Sequence, residues 1–247
     1  ANRAYVTLLY NDFIHGTRAL GRSLLDSRTG ADLVVLVTPD VSKKTRLILA
    51  KDGWIVNPVE VTANPNNDFE NRLIYVYTKL VIFKMVQYDR VVFLDSDTLV
   101  MENVDELFEC GPFCSSMRQA ELINTGVIVI QPNATQYDIM ESQFGALPSY
   151  TGGDQGFLNS FYGNFAECPL FEPIEDTFNR IGPSECWRLP NRYNGDWPLT
   201  FIDGPLAKAV HNIPPNTDWE LRKRIKIYHY TFGSAKPWDW WTLLFLP

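Results

Sequence analysis

The sequence predicts an α/β fold with a mainly parallel sheet, and three observations carry that prediction. Strand-like and helix-like segments alternate from Ala4 to Val61. Two later-buried-looking runs, Asp32 to Thr38 and Arg90 to Leu94, are almost continuously apolar, as strands covered on both faces require. An acidic triplet, Asp95-Ser96-Asp97, stands where the second run stops, and open α/β sheets bind ligands outside the carboxyl ends of their strands.

Taken in order, Ala4 to Tyr10 is a β-rich run that ends in the turn signal Asn11-Asp12. His15 to Leu25 carries apolar residues at helical spacing. The strand Asp32 to Thr38 is broken by Pro39-Asp40, and Ser42 is placed to cap a helix reaching about Lys51. Trp54 to Val61 reads as a third strand. Strand, helix, strand, helix, strand is the signature of right-handed βαβ units. Thr78 to Val86 reads as a helix, Arg90 to Leu94 as a buried strand, and Gly126 to Ile130 as another. Gly152-Gly153 leads into a short helix near Asp154, and Lys226 to Tyr230 is a late strand. No repeat or linker interrupts the chain, so residues 1–247 are expected to form a single domain.

Composition narrows the function. The 247 residues are 45% hydrophobic and carry a net charge of −7, with no basic block to track a phosphate backbone. Nucleic acid is not an expected partner. The apolar stretch Trp238 to Pro247 is too short to span a bilayer, so no membrane segment is expected in this chain. Cys110, Cys114, Cys168 and Cys186 show no metal-ligand spacing beyond a loose C-x3-C and are expected to be reduced. Asn133-Ala134-Thr135 is a formal glycosylation sequon, which matters only in a secretory setting.

Several constellations can carry chemistry, and each has a plainer reading. Asp95 and Asp97 offer hard oxygen donors to a divalent ion, or form a solvated turn after a strand. His229 supplies a nitrogen donor, which moves the preference from Mg²⁺ toward Mn²⁺; Gly233 lets backbone N–H groups approach a phosphate; Lys236 adds a point charge. Alone, these three read as an edge strand and a surface lysine. Asp154 and Gln155 place a carboxylate and an amide at a helix start, for sugar hydroxyls or as a simple cap. Asn124 and Thr125 precede a strand, as sugar-binding groups or as a turn. Arg72 and Lys79 are phosphate or sugar contacts, or solvated charges.

Together these pieces resemble the glycogenin-like branch of the family 8 retaining glycosyltransferases. The resemblance runs through Val6-Thr7-Leu8 with Asn11-Asp12, Leu33 to Pro39, Thr78-Lys79-Leu80, Val92 to Val100, Asn124-Thr125-Gly126, Gly152 to Asn159, and His229 to Trp238. It implies a GT-A type fold with a Rossmann-like half, a UDP-sugar donor, Mn²⁺, and retention of anomeric configuration. By matching position it implies Asp95, Asp97 and His229 as metal ligands. Leu8, Tyr10 and Asn11 fall on the uracil and ribose, with the Ser96 backbone nearby, and Gly233 and Lys236 fall on the diphosphate. Arg72, Lys79, Asn124, Thr125, Asp154 and Gln155 fall around the transferred sugar, with Asp154, Gln155 and Lys79 as the catalytic candidates.

Departures from the glycogenin pattern refine the expectation. The last motif is H-x3-G-x2-K, one residue longer; Thr151 replaces an aspartate; and Thr177 to Tyr193 does not match the self-glucosylated segment. An external glycan or glycoprotein acceptor is therefore expected. Within the branch, the likeness extends to cytoplasmic protist galactosyltransferases that cap an oligosaccharide on a ubiquitin-ligase adaptor. Plant enzymes that glycosylate inositol phosphoceramide share the Lys236-Pro-Trp-Asp-Trp-Trp241 ending. The resemblance thus implies a cytoplasmic UDP-galactose-dependent enzyme, by family habit a homodimer. Self-glucosylation and a catalytically silent UDP-sugar-binding module are the alternatives.

Overall fold

The structure, a computed structural model, describes residues 2–11, 13–66, 73–118, 122–173, 184–196, 225–231 and 236. Seven strands form one sheet: β1 (Arg3–Leu9), β2 (Asp32–Val37), β3 (Ile55–Pro58), β4 (Arg90–Leu94), β6 (Phe113–Arg118), β7 (Leu122–Ile130) and β8 (Trp187–Leu189). Their order is β3-β2-β1-β4-β7-β6-β8. A second sheet joins β5 (Thr98–Val100), β10 (Ile227–His229) and β9 (Gly195–Asp196), in that order. The main sheet is parallel from β3 through β4. β7 runs antiparallel to both β4 and β6, and β8 is again parallel to β6.

Strand periodicity divides the core in two. Ala4, Val6 and Leu8 of β1 face one way, into a cluster with Tyr77, Leu80, Phe93, Tyr137 and Phe157. Tyr5 and Leu9 face the other, onto Leu20 and Leu24 of helix α1 (Ile14–Asp26) and Leu49 of α2 (Lys43–Lys51). Ser42 caps α2 as its side chain predicts, its Oγ accepting from the Thr45 N–H at 3.1 Å. Helices α3 (Ala134–Ser142) and α4 (Asp154–Phe161) complete the second face. Neither α3 nor β6 had been expected.

Three expectations need correction. The segment expected as a helix from Thr78 to Val86 is a 3₁₀ helix, Val76–Lys84. Its β-branched and aromatic run is poor in α propensity, and at three residues per turn it stacks Tyr77, Leu80 and Phe83 in one buried row. The third strand is shorter than expected, Ile55–Pro58, because Trp54 turns into the core and Val59 closes the pairing with β2. The cysteines are not reduced: Cys110 pairs with Cys114 and Cys168 with Cys186. The fold sets their Cα atoms 6.5 and 5.6 Å apart, inside bridging reach; the first pair is four residues apart, and the second meets through a contact between 168–171 and 186–188 that sequence spacing does not encode. No helix among the described residues is long and apolar enough to cross a membrane.

Candidate metal and donor site

Asp95 follows the last residue of β4, its N–H bonded to the Gly126 carbonyl of β7 at 2.9 Å. A tight turn across Ser96 then returns the chain, with the Thr98 N–H and hydroxyl both donating to the Asp95 carbonyl. The turn delivers Asp97 to the start of β5, which pairs antiparallel with β10 in a register that sets His229 opposite Thr98. The Tyr230 N–H closes the contact on the Asp97 carbonyl at 2.9 Å. This short ladder is what brings His229 to the two aspartates from the far end of the chain. One donor atom from each of Asp95, Asp97 and His229 lies within 4.8 Å of the others.

The donor chemistry fits a divalent cation. His229 Nε2 is 3.3 Å from an Asp97 oxygen and 3.9 Å from an Asp95 oxygen. Donors sharing an octahedral cation with bonds of ~2.1 Å lie about 3 Å apart when adjacent. Two carboxylates and an imidazole suit a borderline metal better than a purely oxygen-seeking one.

The imidazole is held from behind. Its Nδ1 lies 2.8 Å from the Asn194 side-chain oxygen, and the Asn194 amide donates to Asn124 Oδ1 at 2.8 Å. Asn124 Oδ1 also accepts from the Gly126 N–H at 3.0 Å. Since an amide oxygen only accepts, this relay places the proton on Nδ1 and leaves the Nε2 lone pair facing the carboxylates. Gly126 is required here, because a Cβ on it would fall 2.1 Å from His229 Cε1. Sequence reasoning missed Asn194, which lies in a segment without periodicity and carries no local signal.

On the other side of Asp95, Lys79 is buried between carboxylates. Its Nζ is 2.9 Å from Asp95 and 3.2 Å from Asp154, and it donates to the Thr125 carbonyl and hydroxyl at 3.3 Å. Phe93 presents its ring to the same ammonium at 5.0 Å. Burial disfavours the charged lysine, but Asp154 and Asp95 more than offset it and raise its pKa. For Asp97, burial is likewise the largest influence and pushes upward. A protonated His229 imidazole and Lys236 overcome it, holding the carboxyl well below the usual range, whereas the neutral tautomer leaves this to Lys236. Lys236 Nζ lies 2.6 Å from Asp97 and also bonds the Tyr230 carbonyl. Among the described residues, Asp95, Asp97 and Asp154 oppose Lys79 and Lys236, an excess of one negative charge that a dication would reverse.

Asp154 opens α4 as its first residue, with Gly153 at the cap position. Gly152 has φ +71°, a conformation that favours glycine, and the resulting turn aims the carboxylate at Lys79 rather than at the helix end. Gln155 accepts from the Thr125 N–H at 3.4 Å and donates to the Tyr150 hydroxyl at 2.9 Å. β1 runs parallel beside β4, so Leu8, buried near the end of β1, and Tyr10 and Asn11 just beyond it come to the edge that bears Asp95. Tyr10 stacks on Tyr75 at 4.9 Å, a partner not anticipated. Burial first, then the Asp95 charge, raise the Tyr10 pKa. Asn11, exposed with φ +53°, is fixed by its N–H to Asp40 at 2.7 Å. Arg72 and Gly233 lie outside the described residues.

Known proteins agree with this architecture. The galactosyltransferase LgtC, solved with donor and acceptor sugar analogues, superposes with a TM-score of 0.66 at 17% identity, over 95% of this chain and 89% of LgtC. That likeness concerns the fold, which is GT-A-like. Inositol phosphorylceramide glucuronosyltransferase 1 of Arabidopsis thaliana is 40% identical across 97% of this chain and 43% of its own length. Glycogenin-2 of Homo sapiens is 32% identical across 97% of this chain and 44% of its own. The chain thus spans under half the length of these two relatives. Residues 7–112 match the family described as Glycosyl transferase family 8; that stretch takes in Lys79, Asp95 and Asp97.

Proposed function

We propose that this chain is the catalytic part of a Mn²⁺-dependent, retaining UDP-sugar transferase. The observation that carries the reading is the convergence of Asp95, Asp97 and His229 within 4.8 Å, beside the Lys79–Asp154 pair. Asp95, Asp97 and His229 would hold a divalent cation there, which would supply charge to neutralise the donor diphosphate and the departing UDP. Lys236, already at Asp97, adds a second positive charge to the departing phosphate. Asp154 and Gln155 hold hydroxyls of the transferred sugar, and Tyr10 and Asn11 border the nucleoside.

In the reaction, the bond from the anomeric carbon to the diphosphate oxygen breaks and UDP takes the electron pair. The acceptor hydroxyl oxygen bonds to that carbon from the same face and gives its proton to the leaving phosphate. Lys79 engages Asp154 at 3.2 Å, which dampens the carboxylate as a nucleophile and favours same-face attack over a covalent intermediate.

For the donor we favour UDP-glucuronate over the galactose expected from the sequence. What supports it is the 40% identity, over nearly the whole chain, to a relative named as a glucuronosyltransferase. The same name offers inositol phosphorylceramide as the first acceptor to assay, ahead of protein-linked oligosaccharide. The two disulfides support an oxidising compartment in place of the cytoplasm. The test is hydrolysis and transfer from UDP-glucuronate, UDP-glucose and UDP-galactose, with and without Mn²⁺. Turnover is expected with UDP-glucuronate and Mn²⁺. Preference for another donor overturns the sugar assignment; silence on all three, with UDP still bound, makes the chain a binding module. The 32% identity to glycogenin-2 supports self-glucosylation as a second reading, which a rise in intact mass with UDP-glucose and no acceptor would reveal.

A further inference from the structure

We propose that Asn133 is a site of N-linked glycosylation. The inference rests on the oxidising compartment proposed above, but on none of the site residues. Asn133, Ala134 and Thr135 are all exposed, at the junction between β7 and α3. The residue between Asn133 and Thr135 is alanine, so the backbone of the acceptor triplet is free of the proline that blocks modification.

The local geometry tolerates a glycan. Asn133 is the N-cap of α3, in an extended backbone conformation, and its cap bond uses Oδ1, which accepts from the Gln136 N–H at 3.2 Å. Glycosylation takes place at the other atom of the amide. Nδ2 bonds to the anomeric carbon of an oligosaccharide carried on a polyisoprenyl diphosphate. The carbon–oxygen bond to the diphosphate breaks, the diphosphate leaves with the electron pair, and Nδ2 releases one proton. Oδ1 remains an acceptor throughout, so the cap and the glycan coexist.

Placement on the sheet keeps the glycan away from the chemistry. β7 is antiparallel to β4, with Val127 opposite Leu94 and Ile130 opposite Val91. Asn133 therefore follows the end of β7 that lies beside the start of β4, whereas Asp95 follows the end of β4. Three residues of strand, about 10 Å, separate the two edges before the added length of 131–133 is counted. A glycan at Asn133 projects from the edge opposite the metal ligands and leaves donor access open.

The test is mass spectrometry of the full-length protein from its own cells, on the proteolytic peptide containing 133–135, before and after enzymatic removal of N-glycans. The expected result is a glycopeptide that collapses to one mass, with Asn133 converted to aspartate. Thr135→Ala, which leaves the Asn133 cap in place, should abolish the glycan, and Thr135→Ser should retain it. Turnover with UDP-sugar should not change in either variant. An unmodified wild-type peptide, or a glycan that survives Thr135→Ala, overturns the proposal. Alkylation of free thiols in the same sample reports separately on the compartment, so an unmodified Asn133 with all four cysteines protected sinks the glycan alone.

Discussion

The parallel frame from β1 to β4 and the small sheet of β5, β10 and β9 meet at Asp95–Asp97, and they are built on different principles. The frame consists of strands four to seven residues long, of which β1, β2 and β4 are buried almost throughout while β3 forms a half-exposed edge. The small sheet has strands of only two or three residues, drawn from positions 98, 195 and 227 onward. The frame supplies Asp95 and Lys79; the small sheet, with the Asn194 relay before β9, supplies the position of His229. Disturbing the first should cost stability together with metal binding. Disturbing the second should cost metal binding while the frame stays folded.

The largest effect is expected at Lys79. Replacing it in Lys79→Met leaves Asp154 and Asp95 facing each other without a counter-ion, and Asp154 has a side chain only 7% exposed. Breaking a buried pair by deleting one partner costs about 3–5 kcal/mol, to be read from urea unfolding of the metal-free protein. A loss below ~1 kcal/mol would mean that Lys79 serves only the donor, and the distinction between the two regions would fail at its centre.

Asp97→Asn should separate the regions cleanly. It removes a charged donor and should weaken Mn²⁺ by more than the roughly 100-fold upper range for partners lying behind a ligand. Its unfolding midpoint should move less than that of Lys79→Met, because the frame keeps every contact. Calorimetric Mn²⁺ titration and urea unfolding of one preparation decide it. Unchanged Mn²⁺ affinity would exclude Asp97 as a ligand.

The same division explains what was legible in the sequence. β1, α1, β2, α2 and β4 follow from local period and capping, since helix and strand spacing is written in adjacent residues. The helix expected at Thr78–Val86 is the 3₁₀ segment Val76–Lys84, because apolar spacing in so short a run does not separate three residues per turn from 3.6 and only its β-branched and aromatic content speaks against α. Asp95 and Asp97 were visible as a pair at a strand end. That His229 joins them came from resemblance; its physical cause is a three-residue ladder between β5 and β10. Asn194 and the pairing Cys168–Cys186 were invisible for a related reason. Their partners are 35 and 18 residues away, across segments without a repeating pattern.

Asn194 sharpens the comparison because it meets the imidazole from behind and links it to Asn124. Asn194→Ala should weaken Mn²⁺ by roughly 10–100-fold, the range for a partner that orients a ligand, with little change in unfolding. Asn194→Asp restores an acceptor for the Nδ1 proton and should recover part of the loss, although it removes the donor to Asn124 Oδ1. Equal losses in both variants would mean that the Asn124 contact, not the tautomer, carries the effect.

Ser42 offers the smallest effect and the reciprocal control. Its Oγ caps α2, which packs Leu49 against the frame on the face away from Lys79 and Asp154. Ser42→Ala should lower stability by about 1 kcal/mol, as loss of a serine cap does. Mn²⁺ titration should be unchanged, since α2 contributes no residue to the cluster and β4 keeps its pairing with β1 and β7. If Mn²⁺ affinity fell with stability in this variant too, every loss of stability would propagate to the metal. The selectivity expected of Asp97 and Asn194 would then reflect general loosening, and the two regions would have to be treated as one cooperative unit.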